Sequence, residues 1–184
     1  TISFSRSMTV KAWFAPISTM IMWIEFEPMS IAAIFTRGPR DPGSAQIFVS
    51  LEDVRAVIDR NPLSCIYVCR EVAPEMIARK SGRIVTLGSV AGLNGRADGV
   101  IYATAKAAVH EYTRCLAAQL RPYNVTVNCV APGGTMTARF VATGQANPRG
   151  VDQIGTLEGY GQPEDIARAV EYFVTDAGRH VSGQ

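Results

Sequence analysis

From residue 51 onward, apolar residues recur at helical spacing in some stretches and run continuously in others, and the two patterns alternate. LEDVRAVIDR, residues 51–60, follows Ser50 as a natural N-cap and sets Val54, Val57 and Ile58 on one face, which predicts a helix. LSCIYVCREVAPEMIARK, residues 63–80, repeats the helical period, with Pro74 as an expected kink and Ser81-Gly82 as its stop. RIVTLGS, residues 83–89, is β-branched and apolar enough for a buried strand. A glycine-rich loop at 92–99 leads to a second long helix at 101–121, closed by Pro122. NVTVNCVAPGG, residues 124–134, reads as another buried strand running into a Pro-Gly turn. GQPEDIARAVEYFVTD, residues 161–176, predicts a helix with Pro163 at its first position and Glu164 and Asp165 near the positive end of its dipole. Strand alternating with helix in this way predicts an α/β fold, a parallel sheet covered by helices on both faces.

The first forty residues break the pattern. AWFAPISTMIMWI, residues 12–24, follows Arg6 and Lys11 and carries both tryptophans. It has about the length of a signal-peptide apolar region, and Ser30-Ile31-Ala32 loosely imitates a cleavage site. Pro16 interrupts it, and it is too short to span a membrane as a helix. A core-packing segment, or one foreign to the rest of the chain, accounts for it more simply.

The overall balance narrows the class of protein. A chain of 184 residues is long enough for one domain with a sizeable core. Hydrophobic content of 47% with 18% charged residues fits a globular protein and argues against disorder. The net charge of +2, with no basic block interleaved with aromatics, gives no reason to expect a nucleic-acid partner, and no membrane partner is expected either. Cys65, Cys69, Cys115 and Cys129 lie in apolar surroundings without a CxxC pair, and the only histidines are His110 and His180. Reduced thiols in a cytoplasmic protein are therefore expected, and no metal site.

In a doubly wound sheet, chemistry gathers beyond the carboxyl ends of the strands. Ser89 stands where the first strand ends, Pro132, Gly133, Thr135 and Thr137 follow the second, and Tyr102 and Lys106 begin the connecting helix. Positions i and i+4 share a helix face, so the Lys106 ammonium can lie near the Tyr102 phenol. A nearby cation stabilises phenolate, which suits the tyrosine to proton exchange near neutral pH. Taken singly, each residue has an ordinary explanation: Tyr102 as the edge of a helix face, Ser89 as a turn residue, Asn61 as a helix cap. Together at this spacing they call for a different one.

The combination resembles the short-chain dehydrogenase/reductase family. The resemblance rests on Asn61, GRIVTLGSVAG at 82–92, YATAK at 102–106, VTVNCVAPGGTMT at 125–137 and GQPEDIARAVEYFVTDAGRHVSGQ at 161–184. It covers about residues 44–184. It implies a Rossmann-type, doubly wound parallel sheet in three α/β/α layers. The implied chemistry is hydride transfer between NAD or NADP and a small-molecule alcohol or carbonyl substrate, in a homodimer or homotetramer. By the same resemblance, Tyr102 is the general acid/base, Lys106 lowers its pKa and holds the nicotinamide ribose, and Ser89 hydrogen-bonds the substrate oxygen. Asn61 is implied to hold a water that relays protons from Lys106, and Thr137 to bind the nicotinamide carboxamide. Pro132, Gly133 and Thr135 complete the implied cofactor contacts. Residues 138–160 would form a mobile substrate lid.

The departures are concentrated at the start. The family opens with a glycine-rich turn at a helix N-terminus, which binds the cofactor pyrophosphate. Only Gly38 and Gly43 occur before residue 82, and FTRG at 35–38 stands where the family carries Asn-Asn-Ala-Gly. The first βαβ unit is therefore expected to be atypical or missing, with residues 1–43 a separate segment and 44–184 the catalytic core. An incomplete reading frame joined wrongly before residue 38 is one expectation; a non-catalytic relative that keeps the reaction centre but cannot hold cofactor is another. Pro62 after Asn61, Gly134 beside the expected nicotinamide position and Gly88 before Ser89 also depart from the family pattern, and the two glycines are expected to loosen the site.

Overall fold

A computed structural model describes residues 49–95, 99–142, 154 and 156–184, together with the backbone of three strands before them. The first helix, α1 (Leu51–Ile58), starts as its cap predicts: the Ser50 Oγ accepts the Asp53 N–H at 3.1 Å. It does not stop at Asn61-Pro62. A π-helical turn, Asp59–Leu63, carries the chain directly into α2 (Ser64–Ala78), so the two expected helices are one continuous run. Proline has no N–H to give to the ladder, and the wider turn takes up the irregularity. The Ser64 N–H bonds the Asn61 and Asp59 carbonyls, and the Ser64 hydroxyl is shared between the carbonyls of Arg60 (3.1 Å) and Asn61 (3.0 Å). The irregularity expected at Pro74 lies instead at Pro62, and α2 is α-helical through Pro74.

Just past the end of α2, Lys80 stands in the left-handed region (φ 52°), and Ser81 N–H reaches back to the Met76 carbonyl at 3.1 Å. Asn124, also left-handed at φ 57°, donates its side-chain amide to the Lys80 carbonyl at 3.2 Å. These two turns bring together the starts of β4 (Gly82–Leu87) and β5 (Val125–Val130), which pair in parallel from Gly82↔Val125 to Leu87↔Val130. The crossover between them is α3 (Val100–Leu120), completing a βαβ unit.

One stripe of α3 is buried: Ala105, Val109, Thr113, Leu116, Ala117 and Leu120. Val109, Leu116, Ala117 and Leu120 pack with Cys65, Cys69 and Met76 of α2 and with Ile84, Val125 and Val127 of the sheet. Thr113 is tolerated in this stripe because its hydroxyl donates to the Val109 carbonyl (2.8 Å) and so can accept from Thr86 Oγ1 (2.7 Å). Ile84 and Thr86 therefore face α3. Arg83, of opposite parity, faces the other layer, where its guanidinium lies 4.0 Å from Asp176. That layer holds α5 (Pro163–Val174), capped by Gln162 and Asp165, with the Gln162 N–H bonded to the Asp165 carboxylate at 2.8 Å. A short helix, α4 (Ala138–Ala142), precedes it.

The last residues run beside β5. Gly183 N–H bonds the Val127 carbonyl at 2.8 Å and Cys129 N–H bonds the Gln184 carbonyl at 2.6 Å. The fully buried Asn128 locks this edge, donating to the Val181 carbonyl (2.8 Å) and accepting from Gln184 N–H (3.2 Å).

Before residue 49 the described strands are β1 (Ile2–Phe4), β2 (Met8–Phe14) and β3 (Met20–Phe26), an antiparallel meander. Of the apolar stretch at 12–24, residues 12–14 and 20–24 thus fall on β2 and β3, with Phe14 opposite Met20. Antiparallel neighbours need no crossover helix, so these strands do not build the parallel βαβ start that a dinucleotide fold requires. The expected cleavage site at 30–32 and the FTRG segment lie outside the described residues, as does most of the expected lid.

Candidate active site

The end of β4 carries the first part of the site. Gly88 N–H continues the ladder to the Val130 carbonyl at 2.8 Å. Ser89 then turns the chain into a 3-10 turn, Val90–Gly92, by accepting the Ala91 N–H on its hydroxyl at 3.2 Å. Val90 N–H bonds the Pro132 carbonyl at 3.1 Å, tying the Ser89 turn to the loop after β5. Gly92 lies so close to α3 that a Cβ there would stand 2.6 Å from the Ala107 nitrogen. The Ser89 turn is thus pressed onto the backbone of the helix that carries Tyr102 and Lys106.

Lys106 connects the parts. Its Nζ donates to the Leu87 carbonyl at 2.9 Å and stands 5.8 Å from the centroid of the Tyr102 ring. One ammonium therefore touches the end of β4 and lies over the phenol four residues before it on α3. Burial lowers the Lys106 pKa, opposed by the Cys129 and Cys65 thiols.

The loop after β5 supplies hydroxyls and open space. A Cβ at Gly133 would meet nothing within 4 Å. Thr137 caps α4, its hydroxyl accepting Phe140 N–H at 3.1 Å, and its own N–H bonds the Thr135 carbonyl at 2.8 Å. The Thr135 hydroxyl donates to the Gly133 carbonyl at 3.3 Å, and Thr135 bridges Gly161. The structure thus brings Ser89, Tyr102, Lys106 and the loop of Pro132, Gly133, Thr135 and Thr137 to one end of the parallel pair. Asn61 lies in the π-helical turn, which packs on α3, but its side-chain amide turns back onto the Val57 carbonyl at 2.8 Å.

The two substituted glycines do not loosen the site, because other side chains fill their space. A Cβ at Gly88 would sit 2.0 Å from His110 Nε2, and one at Gly134 would sit 2.4 Å from the Tyr160 ring. His110 is buried and accepts the Ser89 N–H on Nε2 at 3.2 Å. It continues the i, i+4 series of Tyr102 and Lys106, a signal that would have found it in the sequence. Tyr160 also meets Phe140 edge-on, with ring centroids 5.1 Å apart. No local pattern announces that contact.

Beneath the site, the buried Cys65 and Cys69 group with the half-buried Tyr112. The hydrogen bond to Cys69, and then burial, push the Cys65 thiol up, and burial pushes the Tyr112 hydroxyl up. Among the described residues no cluster of three or more His, Cys, Asp or Glu could hold a metal ion, and no helix is long and apolar enough to cross a membrane.

Cyclohexanol dehydrogenase of Rhodococcus is 38% identical over 149 residues, covering 79% of this chain and 54% of that protein. The 3-oxoacyl-(acyl-carrier-protein) reductase of Synechocystis is 39% identical over 141 residues, covering 74% and 54%. A crystal structure of the corresponding Brucella melitensis reductase with bound NAD superimposes with a TM-score of 0.64 at 28% identity, covering 79% of this chain and 55% of that one. The chain spans about half the length of the curated relatives it matches. The family's sequence profile, short chain dehydrogenase, matches residues 40–147, more than half of the chain. The chain belongs to the short chain dehydrogenase family, with its Rossmann-type α/β fold.

Proposed function

We propose that residues 44–184 form the catalytic core of an NAD(P)-dependent oxidoreductase that interconverts an alcohol and a carbonyl compound. The observation that carries this reading is the Lys106 ammonium, held between the Leu87 carbonyl and the Tyr102 ring. A bound nicotinamide would supply the hydride chemistry; the protein supplies orientation and proton handling. In this reading Tyr102 gives a proton to the substrate oxygen during reduction and takes it back during oxidation. The positive charge of Lys106 favours the phenolate that each cycle passes through. The Ser89 hydroxyl donates to the same oxygen as negative charge gathers there. Asn61 belongs to the proton path through the carbonyl-rich π-helical turn rather than to the substrate.

The residues fit one end of the cofactor. Lys106 and Tyr102 suit the nicotinamide ribose, and Thr135 and Thr137, with Pro132 and the open space around Gly133, suit the nicotinamide and its carboxamide. No comparable cradle for the pyrophosphate stands among the described residues, where the early strands are antiparallel and no glycine occurs before Gly38. The substrate class we favour is a small secondary alcohol or a 3-oxoacyl thioester, the two chemistries named in the relatives. Four free cysteines support a cytoplasmic setting, and the exposed faces of α2 and α3, including the half-exposed Tyr67, support a homodimer or homotetramer.

A fluorescence titration of the chain with NADH and with NADPH, repeated with Lys106→Ala, tests the reading. Saturable binding of one cofactor, weakened at least about tenfold by the substitution, is expected for the loss of a charge-assisted contact. No binding to the folded chain overturns it.

A further inference from the structure

Ser89 hydrogen-bonds through its backbone to a side chain that the proposed reaction does not use. The Ser89 N–H points at His110 Nε2 from 3.2 Å, across twenty-one positions of sequence. The ring reaches that atom because two glycines clear its path: a Cβ at Gly88 would overlap Nε2 at 2.0 Å and Cδ2 at 2.4 Å, and one at Gly92 would stand 3.0 Å from Cε1. His110 is 6% exposed, so its Nε2 bond is formed away from bulk water.

We propose that His110 is a positioning residue, whose Nε2 lone pair holds the Ser89 backbone and thereby aims the Ser89 hydroxyl at the reaction centre. The inference rests on the reading of Ser89 as a substrate-binding hydroxyl. Its physical basis is local. Ser89 is fully extended (φ −168°, ψ 149°) just where the ladder gives out, and the next N–H, that of Val90, is already committed to the Pro132 carbonyl. Without His110 the Ser89 N–H has no ladder partner, and the turn loses one of the contacts that fix it. An imidazole can accept on Nε2 only while that nitrogen is unprotonated, which requires the proton on Nδ1.

The surroundings keep it so. Burial, then the Arg114 and Lys106 charges on its own helix, lower the His110 pKa from 6.5. From β5 the Cys129 thiol approaches the same glycine, and the covering turn, Gly88 to Gly92, has no ionisable side chain. A histidine lowered on folding is uncharged above its unfolded value, so the bond is complete above pH 6.5 and is lost as pH falls through the lower folded value.

The test uses the full chain labelled with nitrogen-15. Long-range proton–nitrogen correlation should show His110 Nε2 unprotonated between about pH 7 and 8, and Ser89 amide exchange should quicken as the ring titrates below its normal range. His110→Phe fills the space but cannot accept, and should speed Ser89 exchange about tenfold beyond any change at Val130, the loss of one buried hydrogen bond. His110→Gln, with a carbonyl acceptor, should restore most of the protection. If His110→Phe does not fold, Gly88→Ala replaces it, displacing the ring and exposing the same amide. A protonated Nε2 at neutral pH, or Ser89 exchange unchanged in a folded variant, overturns the proposal. Titration of the same labelled chain with NADH and NADPH separates the two ideas. Absent cofactor binding with Ser89 still protected by His110 refutes the proposed oxidoreductase and supports the His110 link.

Discussion

Lys106 and Leu87 are nineteen positions apart, yet the lysine Nζ meets the leucine carbonyl at 2.9 Å. That bond anchors the ammonium at the end of β4 and leaves it 5.8 Å from the Tyr102 ring. A tether of this kind fixes where the charge sits rather than merely providing one. It also separates two functions that a single substitution would otherwise confuse.

Tyr102→Phe keeps the ring beside the ammonium and removes only the phenolic hydroxyl. Cofactor affinity should fall by no more than about tenfold, the loss of one hydrogen bond to the ribose, while carbonyl reduction falls about a hundredfold or more, the usual worth of a positioned general acid. Steady-state assays beside a binding titration check this. Equal turnover in the two proteins would remove Tyr102 from the chemistry.

Gly134 and Tyr160 are fitted to each other, since a Cβ at residue 134 would stand 2.4 Å from the ring. Gly134→Ala should cost about 1–3 kcal/mol as an overpacked contact. Adding Tyr160→Ala should recover part of that loss, giving a non-additive cycle in urea denaturation. Strict additivity would mean that the ring escapes freely.

Asn128 is fully buried and holds the chain's last residues to β5 through Val181 and Gln184. Asn128→Ala leaves the Val181 carbonyl without that donor and should destabilise the chain by about 1–3 kcal/mol. Hydrogen exchange should quicken at Gly183 and Gln184 before it does in α3. Uniform exchange would show that the edge is held by its backbone bonds alone.

Lys80 closes α2 in a left-handed conformation that suits glycine better than lysine. Lys80→Gly should raise stability by about 1 kcal/mol, because the strain of a Cβ in that region is removed and the Schellman turn is kept. The midpoint of thermal unfolding reads it directly. A lower midpoint would show that the lysine side chain contributes more than its backbone costs.

Thiol labelling should resolve the four cysteines by environment. Cys115 is exposed, Cys129 half-buried, and Cys65 and Cys69 buried. One fast-reacting thiol is expected, lost in Cys115→Ser. Cys65, pushed up by its bond to Cys69 and by burial, should react only on unfolding. Rapid modification of Cys65 in the native chain would contradict the packing beneath the site.

Features governed by a few neighbouring residues were legible in the sequence. Ser50 and Pro163 mark helix starts because a cap needs only the next turn of chain. The β-branched runs at 84–87 and 125–130 mark buried parallel strands, and the four-residue spacing of Tyr102 and Lys106 places ammonium and ring on one face. Those facts, with the strand ends, were enough to locate the candidate site. The helix break expected at Asn61-Pro62 was not found, because a π-helical turn absorbs the missing N–H while the surrounding packing keeps the run continuous. Only the tertiary structure decided that Gly88 makes room for His110 and Gly134 for Tyr160. A glycine's lost volume has meaning only once the fold shows which distant side chain fills it. Likewise, only the structure placed β1 to β3 as strands in a region the sequence marked merely as unlike the rest, because antiparallel pairing depends on partners that no local spacing specifies.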